Sequence, residues 1–170
     1  RARIMLVGEA PGRLGAERSG APFDGDAAGK RLEQLLQVAG WQRDALFITN
    51  TVLCNPQDER GRNRPPTRAE TVNCAPWLEA QLDLIDPTLV VALGRVALDA
   101  LGKVAPHELS MLDAARLPTP WRNRMLAVKY HPSARAAIHR PFDLQREDFR
   151  LLGAWSRAHG LVPEMPPAGK

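Results

Sequence analysis

Four short aliphatic segments, each bounded by turn-forming residues, constrain the fold of this chain more than any other feature. They are rich in Ile, Leu, Val and Ala, and they cover residues 4–7, 45–48, 88–93 and 125–128. None of them alternates between apolar and polar side chains, which is typical of parallel strands that are covered on both faces. The chain is therefore expected to build a sheet that is buried on both sides.

Helical patterns separate these segments. They cover residues 27–39, 67–85, 95–101 (ending at Gly102) and 143–159. Asp26 is the predicted N-cap of the first helix, and Gly40 is its predicted stop. Thr67 and Glu70 have the spacing of a capping box at the start of the second helix. Pro76 lies inside that second pattern and is expected to kink the helix or to delay its start.

Strands that alternate with helices imply right-handed crossovers. The expected fold class is α/β, a three-layer α/β/α sandwich around a four-stranded, mostly parallel sheet. The length of 170 residues predicts one domain, placed at residues 1–160, with a disordered Pro-rich tail at residues 161–170. Because the first strand begins only three residues after Arg1, we also expect an N-terminal segment to precede this sequence.

The composition excludes several classes of protein and favours an anionic partner. The chain has 23 Lys and Arg against 19 Asp and Glu, and 19 of the 23 basic residues are arginines, which grip phosphates bidentately. No apolar run approaches the ~20 residues that span a bilayer, so no membrane partner is expected. Two cysteines are too few for a secreted disulfide framework. These features favour a cytoplasmic, nucleoid-associated monomer that binds nucleic acid.

Polar residues follow three of the predicted strands, at the edge where α/β proteins bind ligands. The turn Gly8-Glu9-Ala10-Pro11-Gly12 could present backbone amides to a ligand, or it could be an ordinary turn. Asn50 offers both donors and an acceptor to a base edge, although a cap or turn role is the alternative. His131 is held by the rigid Pro132 and could donate a hydrogen bond to a developing negative charge.

Phe23 and the arginines extend this edge. Phe23, in the loop Gly20-Ala21-Pro22-Phe23, either stacks on a planar base or folds back onto the core. Two basic groups flank the edge and predict a track for a nucleic-acid backbone; they comprise Arg60, Arg62, Arg64 and Arg68, and Lys129, Arg135 and Arg140. The sequence lacks both the G-x-G-x-x-G fingerprint and the phosphate loop, which counts against a nucleotide-binding α/β protein.

The two cysteines, Cys54 and Cys74, cannot form a metal site alone. The sequence has no C-x-x-C and no histidine pair at ligand spacing, and an iron–sulfur cluster normally takes four thiolates. Either two ligands come from elsewhere, or the pair is buried and inert.

Taken in order, these motifs resemble the iron–sulfur branch of the uracil-DNA glycosylase superfamily over residues 4–158. The motifs are Gly8–Gly12, Gly20–Phe23, Asn50-Thr51-Val52-Leu53-Cys54, Arg64-Pro65-Pro66-Thr67, Cys74, Ala92-Leu93-Gly94 and His131-Pro132-Ser133. Glu9 is similar to the first motif of family 4. In contrast, Gly25-Asp26-Ala27-Ala28-Gly29 and the arginine at Arg135 are closer to family 5.

The resemblance implies a role for each site residue. Phe23 would stack on a flipped uracil, Asn50 would read its pairing edge, and His131 would stabilise the departing base anion. Glu9 would orient or activate the attacking water. The resemblance also implies that the substrate contacts Gly8, Ala10, Pro11 and Gly12. The residues expected to contact DNA are Arg60, Arg62, Arg64, Ser133 and Arg135.

The resemblance also implies a cofactor and a reaction. Family members hold a 4Fe–4S cluster with four cysteines, of which Cys54 and Cys74 match two; a C-x-x-C would lie before the first strand. A related group traps DNA through a histidine, and Asn63 occupies that position here, which favours turnover. The expected reaction is hydrolysis of the N-glycosidic bond of uracil in DNA. The alternative is a protein that binds uracil-containing DNA with little or no turnover.

Overall fold

The four aliphatic segments of the sequence contribute the four parallel strands of one sheet. The structure, a computed structural model, describes residues 1–162. Its strands are β1 (Ile4–Gly8), β2 (Phe47–Asn50), β3 (Leu89–Leu93), β4 (Thr119–Trp121) and β5 (Arg124–Lys129). Its helices are α1 (Ala16–Ser19), α2 (Ala27–Ala39), α3 (Arg68–Ile85), α4 (Arg95–Val104) and α5 (Phe142–Ala158), with short 3-10 turns at Arg43–Ala45, Met111–Ala115 and Ala136–Ile138.

The sheet has five strands in the order β2-β1-β3-β5-β4. The first four are parallel, and β4 is antiparallel to β5. The predicted α/β class and mostly parallel sheet are confirmed, but the predicted count of four strands is wrong. The missed strand, β4, has three residues and carries Pro120 at its centre. A proline cannot donate to a strand ladder and is confined to edge strands, so the segment carries no recognisable strand pattern.

Two apolar clusters cover the two faces of the sheet and make the predicted three layers. Ile4 and Leu6 face the layer of α2 and α5, where Leu32 and Phe149 are buried. Met5 and Val7 face the opposite layer of α3 and α4. Successive residues of β1 thus point to opposite layers, which explains why this strand is apolar at every position rather than at every second one.

The helix boundaries follow the local signals in most places. The Asp26 carboxylate accepts a hydrogen bond from the Gly29 amide at 2.8 Å, and Gly40 ends α2 in the left-handed conformation, as predicted. The capping box of Thr67 and Glu70 is also present. Because α3 begins at Arg68 and runs through Pro76, the prediction of a delayed start is wrong.

The predicted end of α4 at Gly102 is wrong, because the helix continues to Val104. A Cβ at Gly102 would lie 3.2 Å from the His107 ring, so close packing accounts for this glycine. At the other end of the described residues, Leu161 and Val162 pack into the cluster beside α2 and α5. The rest of the predicted tail, residues 163–170, lies outside the described residues. Within residues 1–162, no helix has the length and apolar character needed to cross a bilayer.

Candidate active site

A cleft of about 700 Å³ opens at the carboxyl edge of the parallel strands. The register places Gly8 beside Asn50, and Leu93 beside Lys129, so the segments that follow these strands meet at one edge. The cleft walls include Glu9, Phe23, Asp26, Asn63, His131 and Arg135. Its volume is in the usual range for small-molecule pockets. The edge indicated by the sequence is therefore an edge that carries a cleft.

Gly8 packs against two of the predicted site residues. A Cβ at this position would lie 2.5 Å from Asn50 Oδ1 and 2.6 Å from the Phe23 ring. The Thr51 amide and hydroxyl both donate to the Gly8 carbonyl oxygen, at 2.8 and 3.0 Å. Gly8 is thus required by close approach rather than by a turn, and it allows Asn50 and Phe23 to pack together.

Asn50 carries a buried acceptor that no described residue satisfies. The residue is 3% exposed, and its Oδ1 has no hydrogen-bond partner within residues 1–162. Buried polar atoms are partnered in the great majority of cases, and an orphan calls for a ligand or water. The Asn50 side chain adjoins Gly8 and the Phe23 ring, which lines the cleft. Asn50 is therefore suited to accept a hydrogen bond from a bound base.

Phe23 combines the two roles that the sequence left open. It is 8% exposed and packs into the cluster beside α2, yet its side chain also lines the cleft. Its ring lies 5.4 Å from the His131 ring, tilted by 38°. Its backbone is in the left-handed region, with φ of 54°, which is unusual for an aromatic residue. The ring is thus held in a fixed place next to His131.

His131 is kept neutral at physiological pH. Burial lowers its pKa to about 4, and the Asp26 carboxylate opposes that shift. A neutral imidazole can still donate one N–H to an acceptor. Asp26 also caps α2 and lines the cleft, whereas the sequence identified it only as a helix cap and as part of the Gly25–Gly29 motif. Its proximity to His131 arises from the tertiary fold, and no local signal could reveal it.

Glu9 lines the same cleft, and its pKa is shifted in the opposite direction to that of His131. Burial raises the pKa of its carboxyl, and the Arg135 guanidinium partly offsets this shift. A carboxylate with a raised pKa is a better general base, because its affinity for a proton is closer to that required at neutral pH. The cleft therefore holds a neutral donor and a desolvated carboxylate.

The loop after β2 fixes the Gly8–Gly12 turn from outside. Asn55 donates from Nδ2 to the Pro11 carbonyl oxygen at 2.6 Å and to Asn63 Oδ1 at 3.0 Å. Asn63 Oδ1 also accepts from the Arg13 amide at 3.1 Å. Ala10, Pro11 and Gly12 all line the cleft. The bonds to Pro11 and from Arg13 join residues 44 and 50 positions apart, so sequence patterns could not identify Asn55.

Three arginines of the predicted basic track are already paired within the chain. Arg62 forms an ion pair with Asp58 at 2.7 Å, and Arg64 donates two bonds of 2.8 Å to Glu70. Arg140 is paired in the same way with the buried Asp148.

Lys129 does not belong to that track. It is 1% exposed and donates to the carbonyl oxygens of Ala114 and Arg116, so its placement in a surface cluster is wrong. Ser133 Oγ accepts from the Ala136 amide at 3.3 Å. Arg60 and Arg135 are exposed and form no ion pair with a described residue.

Cys54 and Cys74 remain as two free thiols. Cys54 is exposed and Cys74 is half-buried, so the alternative of a buried, inert pair is wrong. In the described part of the chain, no three His, Cys, Asp or Glu side chains form a group that could hold a metal ion. The two thiols have the chemistry of cluster ligands but supply half of a four-thiolate set. By themselves they do not complete such a site.

Comparison with known proteins places this α/β fold and its cleft in one class. The model of the uracil-DNA glycosylase superfamily matches residues 1–152. The chain belongs to that superfamily.

The relatives include two types of glycosylase. The Type-4 uracil-DNA glycosylase of Sulfurisphaera tokodaii is 35% identical over 160 residues, covering 89% of this chain and 69% of its own length. The Type-4 enzyme of Archaeoglobus fulgidus is 34% identical, with 90% and 76% covered. The Type-5 uracil-DNA glycosylase of Thermus thermophilus is 40% identical over 150 residues, with 78% and 65% covered. Similarity to both types agrees with the mixed motifs of the sequence.

Proposed function

We propose that this protein is a DNA-repair glycosylase that hydrolyses the bond between uracil and deoxyribose in DNA and leaves an abasic site. Its relatives are named uracil-DNA glycosylases. The observation that carries the proposal is the orphaned Asn50 acceptor next to Gly8 and the Phe23 ring, which lines the cleft together with His131. The activity is assigned to one domain, residues 1–160, acting as a monomer in the cytoplasm, where its DNA substrate lies.

Recognition of the base would use Phe23 and Asn50. A base within a duplex must be flipped out before it can enter a pocket, at a cost of a few kcal/mol. The flipped uracil would stack on the Phe23 ring, a contact worth about 1–3 kcal/mol. Its ring N–H between the two carbonyls would donate to Asn50 Oδ1. Cytosine has an acceptor at that ring nitrogen, so it would leave the Asn50 oxygen unsatisfied.

Bond cleavage would use His131 and Glu9 on opposite sides of the broken bond. As the bond between C1′ and the base nitrogen breaks, its electron pair passes to the uracil and positive charge develops on the sugar. The neutral His131 would donate a hydrogen bond to the uracil anion. Glu9 would hold the water whose oxygen bonds to C1′, and its carboxylate would receive the proton released. Preorganised donors of this kind lower the barrier because they need no reorientation.

The arginines without ion pairs would bind the DNA backbone. Arg135 lines the cleft beside Glu9, and Arg60 lies on the loop that faces the Gly8–Gly12 turn. Each neutralised phosphate releases counterions, so binding should weaken steeply with salt. Arg62, Arg64 and Ser133 also belong to the proposed DNA surface, although their internal bonds leave them less free to reach a phosphate.

Cys54 and Cys74 are proposed as two ligands of a 4Fe–4S cluster. An exposed and a half-buried thiol, both unpaired, are accessible to such a group. The chain contains no further cysteine, so two thiolates must come from outside these 170 residues. Bound there, a cluster would supply structural cross-linking between Cys54 and α3. Iron and sulfide analysis of the protein, with Cys74→Ser as the comparison, tests this assignment.

An excision assay tests the proposed function directly. The protein is incubated with a labelled duplex that contains one U·G pair, and the product is treated with alkali. Strand breakage at the uracil is expected, with none in the matched T·A duplex. A shifted band in a native gel without alkali-labile breakage would instead identify a protein that binds uracil-containing DNA without turnover.

A further inference from the structure

Phe23 is held in a backbone conformation that it would not adopt by itself. Its φ of 54° lies in the left-handed region, which is unfavourable for a residue that carries a side chain. A Cβ at Gly29 would lie 2.3 Å from the Phe23 carbonyl oxygen, so the Phe23 peptide packs closely on α2. Surrounding contacts must maintain this conformation.

Arg43 makes the polar contacts that hold the Phe23 peptide. Its guanidinium donates to the carbonyl oxygen of Pro22 and to that of Phe23, the latter at 3.4 Å. The same guanidinium forms an ion pair with Glu33 on α2. Arg43 lies on the 3-10 turn before β2 and is not among the residues that line the cleft. Arg43 therefore contacts the Phe23 loop from outside the cleft.

We propose that Arg43 is a positioning residue for uracil excision, acting through Phe23. This inference rests on the proposed function, because it assumes that the Phe23 ring stacks on the base. Two carbonyls held by one planar guanidinium fix the Phe23 peptide relative to α2. The ring is then kept in place beside His131, where base stacking and stabilisation of the leaving anion act on the same ligand. Small misplacements of a group that positions substrate can cost about 10²-fold in rate.

A double-mutant cycle distinguishes positioning from general stabilisation. Single-turnover excision rates are measured for the wild type, Arg43→Ala, Phe23→Ala and the double variant. Arg43→Ala is expected to lower the excision rate by about tenfold and Phe23→Ala by somewhat more. In the Phe23→Ala background, Arg43→Ala should have almost no further effect, because coupled residues are not additive. Arg43→Lys, which retains a donor, should recover part of the rate.

Arg157→Ala provides the matched control. Arg157 donates from Nη1 to the Ala39 carbonyl oxygen at 2.7 Å, so it also fixes a backbone carbonyl of α2, but at the end remote from Asp26 and Phe23. Its removal should lower Tm by an amount comparable to Arg43→Ala and leave the excision rate unchanged. If Arg43→Ala behaves like this control, or if its effect persists fully without Phe23, the positioning role is refuted.

Glu33→Gln provides a second test that does not depend on the folding of Arg43→Ala. It removes the carboxylate that orients Arg43 and leaves Arg43 in place. We expect Glu33→Gln to lower the excision rate by about threefold, because Arg43 would hold the Phe23 peptide less firmly, and to have no such effect in the Phe23→Ala background. The same threefold loss in that background would contradict the inference. Failure of the proposed function has a different signature, since the wild type itself would then release no uracil.

Discussion

Two regions border the cleft, and they differ in whether their polar groups have partners within the chain. The strand-end rim, comprising Gly8, Glu9, Asn50 and His131, contains a buried acceptor without a partner in the described chain. The arginine loop, residues 55–67, has most of its charges satisfied internally, as the two bonds between Arg64 and Glu70 illustrate. Unsatisfied buried groups cost stability, so a protein retains them where a ligand completes them. The rim is therefore the region that we propose for the chemistry.

The pKa shifts show the same difference. In the rim, burial disfavours the charged forms, raising the pKa of Glu9 and lowering that of His131 to about 4. Where the arginine loop meets the first turn of α3, hydrogen bonds from Arg64 and Thr67 lower the pKa of Glu70 to about 2, so the charged form is favoured. The loop is a charged, solvent-facing scaffold, whereas the rim is desolvated. Variants in the two regions should consequently affect different measurements.

The largest effect is expected from His131→Ala. Loss of one preorganised donor typically lowers a rate by about 10²–10³-fold, and His131 is the proposed donor to the leaving uracil. Single-turnover excision from a U·G duplex measures this loss. His159→Ala is the control, because the His159 ring stacks on Trp155 outside the cleft and its loss should not change the rate. Wild-type excision by His131→Ala would remove His131 from the mechanism.

Asn50→Ala should have the next largest effect, about 10²-fold on excision. The substitution removes the acceptor for the uracil N–H and leaves Gly8 and Phe23 in place. It should also reduce the preference for uracil over cytosine, which is measured by competing duplexes. Gly8→Ala should mimic part of this loss, because its Cβ would displace the Asn50 amide and the Phe23 ring. Unchanged base preference in both variants would show that Asn50 does not read the base.

The fold was largely predictable because its signals are local. Buried parallel strands are apolar throughout, and the N-cap Asp26 and the capping box at Thr67 mark helix starts within four residues. The exceptions have physical reasons. β4 lacks a pattern because Pro120 interrupts a three-residue edge strand, and Gly102 serves the packing of His107 rather than the end of a helix.

Only those site residues that belong to sequence motifs could be predicted. Glu9 and His131 follow strands, Asn50 is the last residue of β2, and all three could be identified from their positions; the structure brings the segments that carry them to one edge. The ion pairs of Arg62 and Arg64 and the buried bonds of Lys129 could not be anticipated from charge counts. Arginine clustering indicates a basic region, but only the tertiary structure shows which charges remain free.

A smaller effect, with a distinctive pH dependence, is expected from Glu9→Gln. Glu9 is proposed to act as a carboxylate, and its raised pKa means that protonation begins at a higher pH than for a free glutamate. Wild-type excision should therefore decline on the acid side at a pH above the ordinary value of 4.5 for this group. Because His131 stays neutral above about pH 4, it should not contribute to that decline.

The variant should lose this acid limb and run about tenfold below the wild type at neutral pH. This loss is smaller than the roughly 10²-fold loss of rate that is typical when a general base is removed. A sugar cation reacts readily with water, so the water needs little activation. A pH–rate profile of single-turnover excision measures both features, with Glu147→Gln on the surface of α5 as the control. An acid limb that survives in Glu9→Gln would assign it to another group.

The smallest effects are expected in the arginine loop, and they separate free from paired charges. Arg60→Ala should lower the slope of log binding affinity against log salt by about 0.9, the value for one phosphate contact on duplex DNA. Arg64→Gln should change this slope less and should lower Tm instead, because the Arg64 guanidinium is already bound to Glu70. The slopes are measured on a U·G duplex over a range of salt, with Arg150→Ala on α5 as the control for a lost surface charge. Arg64→Gln could instead lower the slope as much as Arg60→Ala and leave Tm unchanged. That result would mean that the Arg64–Glu70 ion pair breaks when DNA binds, so the contrast between rim and loop would not hold in the DNA complex.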